Sequence, residues 1–203
     1  MELLLPNTVY HIYNHSIGNE QLFDTCQNYF FFLNKFQRYL LPVVETYSYC
    51  LMPNHFHFVV KVRKEYEIVA ILPDAYRKKY ENEDLPENKE LIVSKYVSRQ
   101  FSNLFSSYTQ AFNKWVKRRG SLFLKNFKRN KVDSREYFVQ VVKYVHFNPV
   151  KHGFVNRMED WEYSSFNLLL SSSNTFLERD AVFAMFEGRV NFIETHLDMY
   201  GDD

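Results

Sequence analysis

The sequence has little cysteine, no long apolar run and almost no net charge, and each scarcity removes a class of protein. Of its 203 residues only Cys26 and Cys50 are cysteines. They lie far apart and form no CxxC pair, so a disulfide framework is not expected and neither is a good nucleophile. Both read as small buried apolar residues in a reducing compartment. No segment approaches the roughly 20 apolar residues of a bilayer-spanning helix. The N-terminal Met1-Glu2-Leu3-Leu4-Leu5-Pro6 is too short and lacks the basic flank of a signal peptide, so no membrane association and a cytoplasmic location are expected. Internal repeats and low-complexity segments are also missing. What is present is 46% hydrophobic residues, enough for a real core in one generous domain or a domain with an appendage.

The formal net charge of +1 by itself says nothing about nucleic acid, but its distribution does. Between Lys114 and Arg135 stand nine cations against the single Asp133: Lys114, Lys117, Arg118, Arg119, Lys125, Lys128, Arg129, Lys131 and Arg135. Interleaved with Trp115, Phe123 and Phe127, they suit a phosphate backbone with unstacked bases, although a solvated helix face accounts for such a run equally well. From Glu178 the balance reverses, with Glu178, Asp180, Glu187, Glu194, Asp198, Asp202 and Asp203 against Arg179 and Arg189.

Hydrophobic periodicity gives the organisation. Thr8 to His15 alternates as a strand, with Val9, His11 and Tyr13 against Tyr10 and Ile12. Asp24 is an expected N-cap for a helix carrying Tyr29, Phe30, Leu33, Phe36 and Leu40 up to Pro42. Val43 to Leu51 and His55 to Val62 form a hairpin across Met52-Pro53-Asn54. Lys64 to Lys89 contains Pro73 and Pro86 and reads as a helical excursion with an exposed loop. Glu90 to Arg119 is a long amphipathic helix ending near Gly120, followed by a short basic strand, Phe127 to Val132. Asp133-Ser134-Arg135-Glu136 opens a helix expected to stop at Pro149. This order contains βαββαβ and predicts an α+β, ferredoxin-like antiparallel sheet with helices on one face. Ser171-Ser172-Ser173-Asn174 reads as a linker, dividing residues 1–170 from a C-terminal helical tail over 171–203.

Two constellations carry chemistry. In His55-Phe56-His57-Phe58 the strand alternation sets both imidazoles on one face and both phenyl rings on the other. Such a pair can hold a divalent ion without naming it, or be an exposed or hydrogen-bonded strand pair. In the following helix Tyr137, Val141, Tyr144 and Asn148 share a stripe. Tyr144 can supply an oxygen nucleophile and Asn148 a carbonyl ligand; equally, the tyrosine can be packing and the asparagine a helix cap. His146 points away from that stripe and reads as structural.

The segments Tyr49-Cys50-Leu51-Met52-Pro53-Asn54-His55-Phe56-His57 and Tyr144-Val145-His146-Phe147-Asn148-Pro149-Val150-Lys151-His152-Gly153 resemble the IS200-like single-tyrosine transposases, in particular their REP-associated tyrosine transposase branch. The resemblance extends from Val9-Tyr10-His11-Ile12-Tyr13-Asn14 through Gly120-Ser121-Leu122-Phe123 to Trp161-Glu162-Tyr163-Ser164-Ser165, reaching about Leu170. It implies an HUH endonuclease in which His55, His57 and Asn148 hold one divalent ion, Mg²⁺ or Mn²⁺, and Tyr144 attacks single-stranded DNA near a hairpin. A 5′-phosphotyrosine bond and a free 3′-hydroxyl result. The resemblance also allows either a monomer or a homodimer that exchanges catalytic helices. With DNA as the expected partner, the basic stretch gives Lys114, Lys117, Arg118, Arg119, Lys125, Lys128, Arg129 and Lys131 as the expected DNA-binding residues.

The sequence departs from the family at Asn14-His15-Ser16-Ile17-Gly18, where Asn-Arg-Gly is common, and in the length of the 64–89 excursion. Two other readings compete. A domesticated DNA-binding protein would keep the fold without turnover, yet His55, His57, Tyr144 and Asn148 are all intact. An RNA-binding ferredoxin-like module would need an aromatic RNP-like strand, and histidines stand in that place. Because imidazole must be neutral to bind metal, activity is expected to weaken below about pH 6.5.

Overall fold

The computed structural model describes residues 2–200; Met1 and the acidic Asp202 and Asp203 lie outside the described residues. The chain runs β1 (Val9–His15), α1 (Cys26–Leu40), β2 (Val44–Met52), β3 (His55–Val62), α2 (Glu65–Ala70), α3 (Asp74–Glu81), α4 (Pro86–Trp115), β4 (Lys128–Val132), α5 (Arg135–Lys151), α6 (Phe166–Leu170), α7 (Arg179–Met185) and α8 (Arg189–Leu197). One four-stranded sheet has the order β2-β3-β1-β4, with every neighbouring pair antiparallel. The ferredoxin-like α+β expectation therefore holds.

The alternation in β3 separates two surfaces. Phe56 and Phe58 face α1 and α4, with Phe58 stacked on Phe36 at 4.1 Å and Phe56 beside Phe32 at 5.4 Å and Phe105 at 5.7 Å. Tyr10 and Ile12 of β1 are buried with them. His55 and His57 face the other way, toward α5. α5 packs mainly across β2, where Phe138 meets Tyr47 at the bulge between Thr46 and Ser48. Helices thus cover one whole face, and a single helix covers part of the other.

Several boundaries differ from expectation for local reasons. The cap of α1 is Thr25, because Asn28 Oδ1 accepts from the backbone N–H groups of both Asp24 and Thr25. Pro86 begins α4 rather than preceding it in a loop; the first helical position needs no N–H donor. That helix ends at Trp115, since Asn113 donates to Gly120 O and Arg118 donates to Ser121 O, bonds that close a turn. Ser134, not Asp133, caps α5 by accepting from Tyr137 N at 3.1 Å. Pro149 sits inside the last turn of α5, and the chain leaves through Gly153 at φ +70°, the left-handed residue common after a helix. Of the two cysteines, Cys50 is buried as expected, whereas Cys26 is exposed on the first turn of α1.

The C-terminal segment touches the sheet at the edge of β2. Leu177 forms a parallel bridge with Thr46, and Glu178 N donates to Thr46 O at 2.9 Å. The acidic helical tail is two helices, broken at Gly188 with φ +121°. Phe192 of α8 is wholly buried among Phe166, Phe183 and Phe186.

Removing one ring from the centre of the helix-covered face should be costly. Phe58→Ala is expected to lower the unfolding free energy by about 3–5 kcal/mol, the range for a buried phenylalanine, as read from urea denaturation. A loss below about 1 kcal/mol would contradict the packing described.

Candidate active site

Strand β3 brings His55 and His57 to the face under α5, where they are 5% and 4% exposed. The imidazoles are aimed by different partners. His55 Nδ1 lies 2.7 Å from Asn54 Oδ1, and His57 Nδ1 lies 2.9 Å from His11 Nε2. Both Nε2 atoms then point to one amide. His55 Nε2 is 2.9 Å from Asn148 Oδ1, and His57 Nε2 is 3.5 Å from Asn148 Nδ2. Tyr144, one turn earlier on α5, sets its ring 5.4 Å from that of His57 and 6.1 Å from that of His11. The ammonium of Lys151 stands 5.2 Å over the Tyr144 ring. All four residues singled out in the sequence therefore converge.

Burial tunes the imidazoles. Desolvation pushes His11 and His55 down from 6.5 to about 4, and His57 well below the ordinary value, and neighbouring histidines add to the effect at His55 and His57. These rings are neutral across the physiological range, so the expected acid limit near pH 6.5 must move down. Neutrality also tests whether a cation fits. A neutral imidazole carries one N–H, yet His55 lies between two amide oxygens. One contact therefore sets a nitrogen lone pair against an oxygen lone pair, which a cation among His55 Nε2, His57 Nε2 and Asn148 Oδ1 would relieve. Among the described residues no three His, Cys, Asp or Glu side chains converge to hold a metal ion. The groups that could hold a cation here are two imidazoles and one amide, a mixed nitrogen and oxygen set that suits a divalent ion.

The site contains residues that the sequence reading did not single out. His15 stacks on His55 with centroids 4.7 Å apart, and Tyr13 lies 5.6 Å from His57. His152, just past α5, approaches His55 at 5.4 Å. Their signal was available: the alternation that pairs Val9 with Tyr13 also sets His11 and His15 on the same face.

His146, on the opposite side of α5, is structural. His196 Nδ1 donates to Phe192 O, which leaves its Nε2 to accept from His146 Nδ1 at 2.9 Å. His146 Nε2 then accepts from Ser165 Oγ at 2.7 Å, and Ser165 Oγ accepts from Tyr49 N at 2.8 Å. This chain ties α8 and β2 to the helix that carries Tyr144.

The basic residues divide. Lys114, Lys117, Arg119, Lys125, Lys128 and Lys131 are exposed. Arg118 instead pairs with Glu20 at 3.2 Å and bonds Asn113, and Arg129 is buried, bonding Glu2 O and Ser98 Oγ above the Phe127 ring. Lys128 is opposite Tyr13 in register and so shares the histidine face, whereas Lys131 is opposite Tyr10 on the far face. A cleft of about 820 Å³ also lies on that far face, between α4 and residues 120–127. Its lining of Ser102, Ser106, Gln110 and Asn113 lacks the convergent imidazoles, so chemistry rather than size identifies the site.

A REP-associated tyrosine transposase of Escherichia coli (strain K12) is 30% identical over 115 residues, covering 55% of this chain and 62% of that protein. A Haemophilus influenzae protein assigned to the same group is 26% identical over 127 residues, covering 61% of this chain and 59% of that protein. The solved structure of a REP-associated tyrosine transposase bound to a REP hairpin aligns with a TM-score of 0.56 at 14% identity, covering 85% of this chain and 84% of that one. The chain resembles the REP-associated tyrosine transposases in sequence and in fold. The match spans about three fifths of the length of the curated relatives. No family model matches the chain. No helix among the described residues is long and apolar enough to cross a membrane.

Buried neutral histidines give stability a defined pH dependence. Above pH 6.5 the folded and unfolded chains are both neutral at these sites. As pH falls from 6.5 toward 4 the unfolded chain takes up protons that the folded chain refuses, so stability falls, levelling off below the folded values. Each histidine moved from 6.5 to about 4 contributes on the order of 3 kcal/mol to the total loss across this window. The melting temperature should therefore drop steeply between pH 6.5 and 4. A constant value across that window would contradict the burial.

Proposed function

We propose that this chain is a metal-dependent single-stranded DNA endonuclease and strand transferase, a transposase acting beside hairpin structures. The observation that carries the proposal is the convergence of His55 Nε2, His57 Nε2 and the Asn148 amide next to Tyr144. Its support from related proteins is the similarity to REP-associated tyrosine transposases, one of which was solved with a REP hairpin.

His55, His57 and Asn148 would hold one divalent ion, Mg²⁺ or Mn²⁺. When bound, such an ion withdraws charge from a phosphate oxygen and stabilises the negative charge that develops during displacement. Tyr144 Oη attacks the phosphorus and gives up its proton. The bond from phosphorus to the 3′ oxygen breaks, that oxygen takes up a proton, and the 5′ phosphate stays on the tyrosine. The phosphotyrosine ester conserves the bond for transfer to another 3′-hydroxyl. Lys151 sets positive charge beside the ring, where the phosphate must arrive. Part of the histidine face beyond α5 carries Tyr13 and Lys128, an aromatic ring and a cation suited to an unstacked base and its phosphate. The exposed Lys114, Lys117, Arg119, Lys125 and Lys131 would hold the rest of the DNA. Arg118 and Arg129 would act through the fold, by holding the 118–121 turn and the start of β4. Tyr144 stands beside His57 of its own chain, so the site can act in cis, in a monomer or in each subunit of a homodimer.

With a hairpin-bearing oligonucleotide and Mn²⁺ or Mg²⁺, the protein should form a denaturant-resistant DNA adduct, and Tyr144→Phe should abolish it. Undiminished adduct in that variant would reject the assignment, and binding with no adduct in the wild type would favour a DNA-binding protein without turnover. Because burial moves His55 to about 4, adduct formation should persist from pH 7 to about 5 and fail toward pH 4. A loss centred near 6.5 would show that the imidazoles titrate as exposed groups.

A further inference from the structure

His11 is 7% exposed, and its ring stacks against His57 with centroids 5.1 Å apart and an interplanar angle of 25°. The register pairs Tyr13 with His57 directly, so His11 is the diagonal neighbour on the same face, within reach of a long side chain. Its Nε2 meets His57 Nδ1 at 2.9 Å. A contact this short between two neutral rings holds one hydrogen, so one nitrogen donates and the other accepts. The remaining nitrogen of His57 decides which. His57 Nε2 faces Asn148 Nδ2, a donor, because Asn148 Oδ1 is turned to His55. If His11 donated, His57 would carry its proton on Nε2 and two N–H groups would oppose each other. If His57 donates, its Nε2 lone pair faces into the site.

We propose that His11 is a positioning residue: by accepting the Nδ1 proton of His57, it holds that ring in the tautomer whose Nε2 lone pair is free to bind a metal. The inference rests on the metal-site reading above and deepens it. Asn54 does the same for His55 with an amide oxygen, so each imidazole has its own partner on Nδ1. Partners of this kind orient a ligand and fix its tautomer, and their loss usually costs about 10–100-fold in metal affinity. His11 also borders the Tyr144 ring, so one side chain sets both the ligand and the wall beside the nucleophile.

Two measurements on the full chain test this, with Mn²⁺ as the probe. In metal-free protein, nitrogen-15 NMR of the histidine rings should find the proton of His57 on Nδ1 in the wild type, and on Nε2 in a substantial fraction of His11→Leu. Mn²⁺ affinity, read by electron paramagnetic resonance, should fall about 10–100-fold in His11→Leu and recover in His11→Gln, whose amide oxygen can accept the same proton. A merely structural role would lower the melting temperature of both variants without moving the tautomer. A wild-type His57 protonated on Nε2, or unchanged Mn²⁺ affinity in folded His11→Leu, would overturn the proposal. Failure of the underlying metal reading would look different: wild type and His55→Ala would bind Mn²⁺ equally poorly, while the His57 tautomer still followed residue 11.

Discussion

The opposed demands on alternate residues of β3 govern much of this molecule. Phe56 and Phe58 must enter an aromatic core against α1 and α4, and His55 and His57 must meet α5 on the other side. A slip of one residue would exchange the two sets, burying imidazoles among phenyl rings. Pairing with β2 on one edge and β1 on the other secures the register. The same burial that builds the core also withdraws water from the histidines and keeps them neutral. A surface pair would have stayed partly protonated near pH 6.5, and a cation would have had to compete with protons for it.

The second half of the site depends on how α5 is seated. At 3.6 residues per turn, His146 lies about 200° round the helix from Tyr144, so both can be used at once. Tyr144 and Asn148 face the sheet, and His146 faces the C-terminal helices. Its chain of hydrogen bonds to His196 and Ser165 is directional from end to end and wholly buried. That arrangement gives the C-terminal segment a place in the architecture of the site. α8 buttresses the helix that carries Tyr144 from behind, and residues before α7 add a bridge to β2.

Much of this was legible in the chain because period-two and period-four patterns translate directly into faces. The succession of strands and helices, the paired imidazoles, the Tyr144–Asn148 stripe and the outward turn of His146 follow from spacing. Less legible were features that depend on a residue's place within a helix or on its tertiary surroundings. Pro86 and Pro149 look like breakers but occupy turns of a helix that tolerate them. Arg118 and Arg129 belong to the basic stretch in sequence, and in the fold they also bond Glu20, Ser98 and main-chain oxygens. Cys26, expected inside, is outside.

What the sequence determined alone was the inventory and its faces: two imidazoles together, a phenol and an amide together, and a basic stretch between them. Only the tertiary structure decided that these halves meet, that His11, His15 and His152 join them, and that the imidazoles are neutral. Side-chain periodicity is a property of a single strand or helix. Distance between elements and exclusion of water arise when β3 and α5 pack on each other, and the chemistry of the site depends on both.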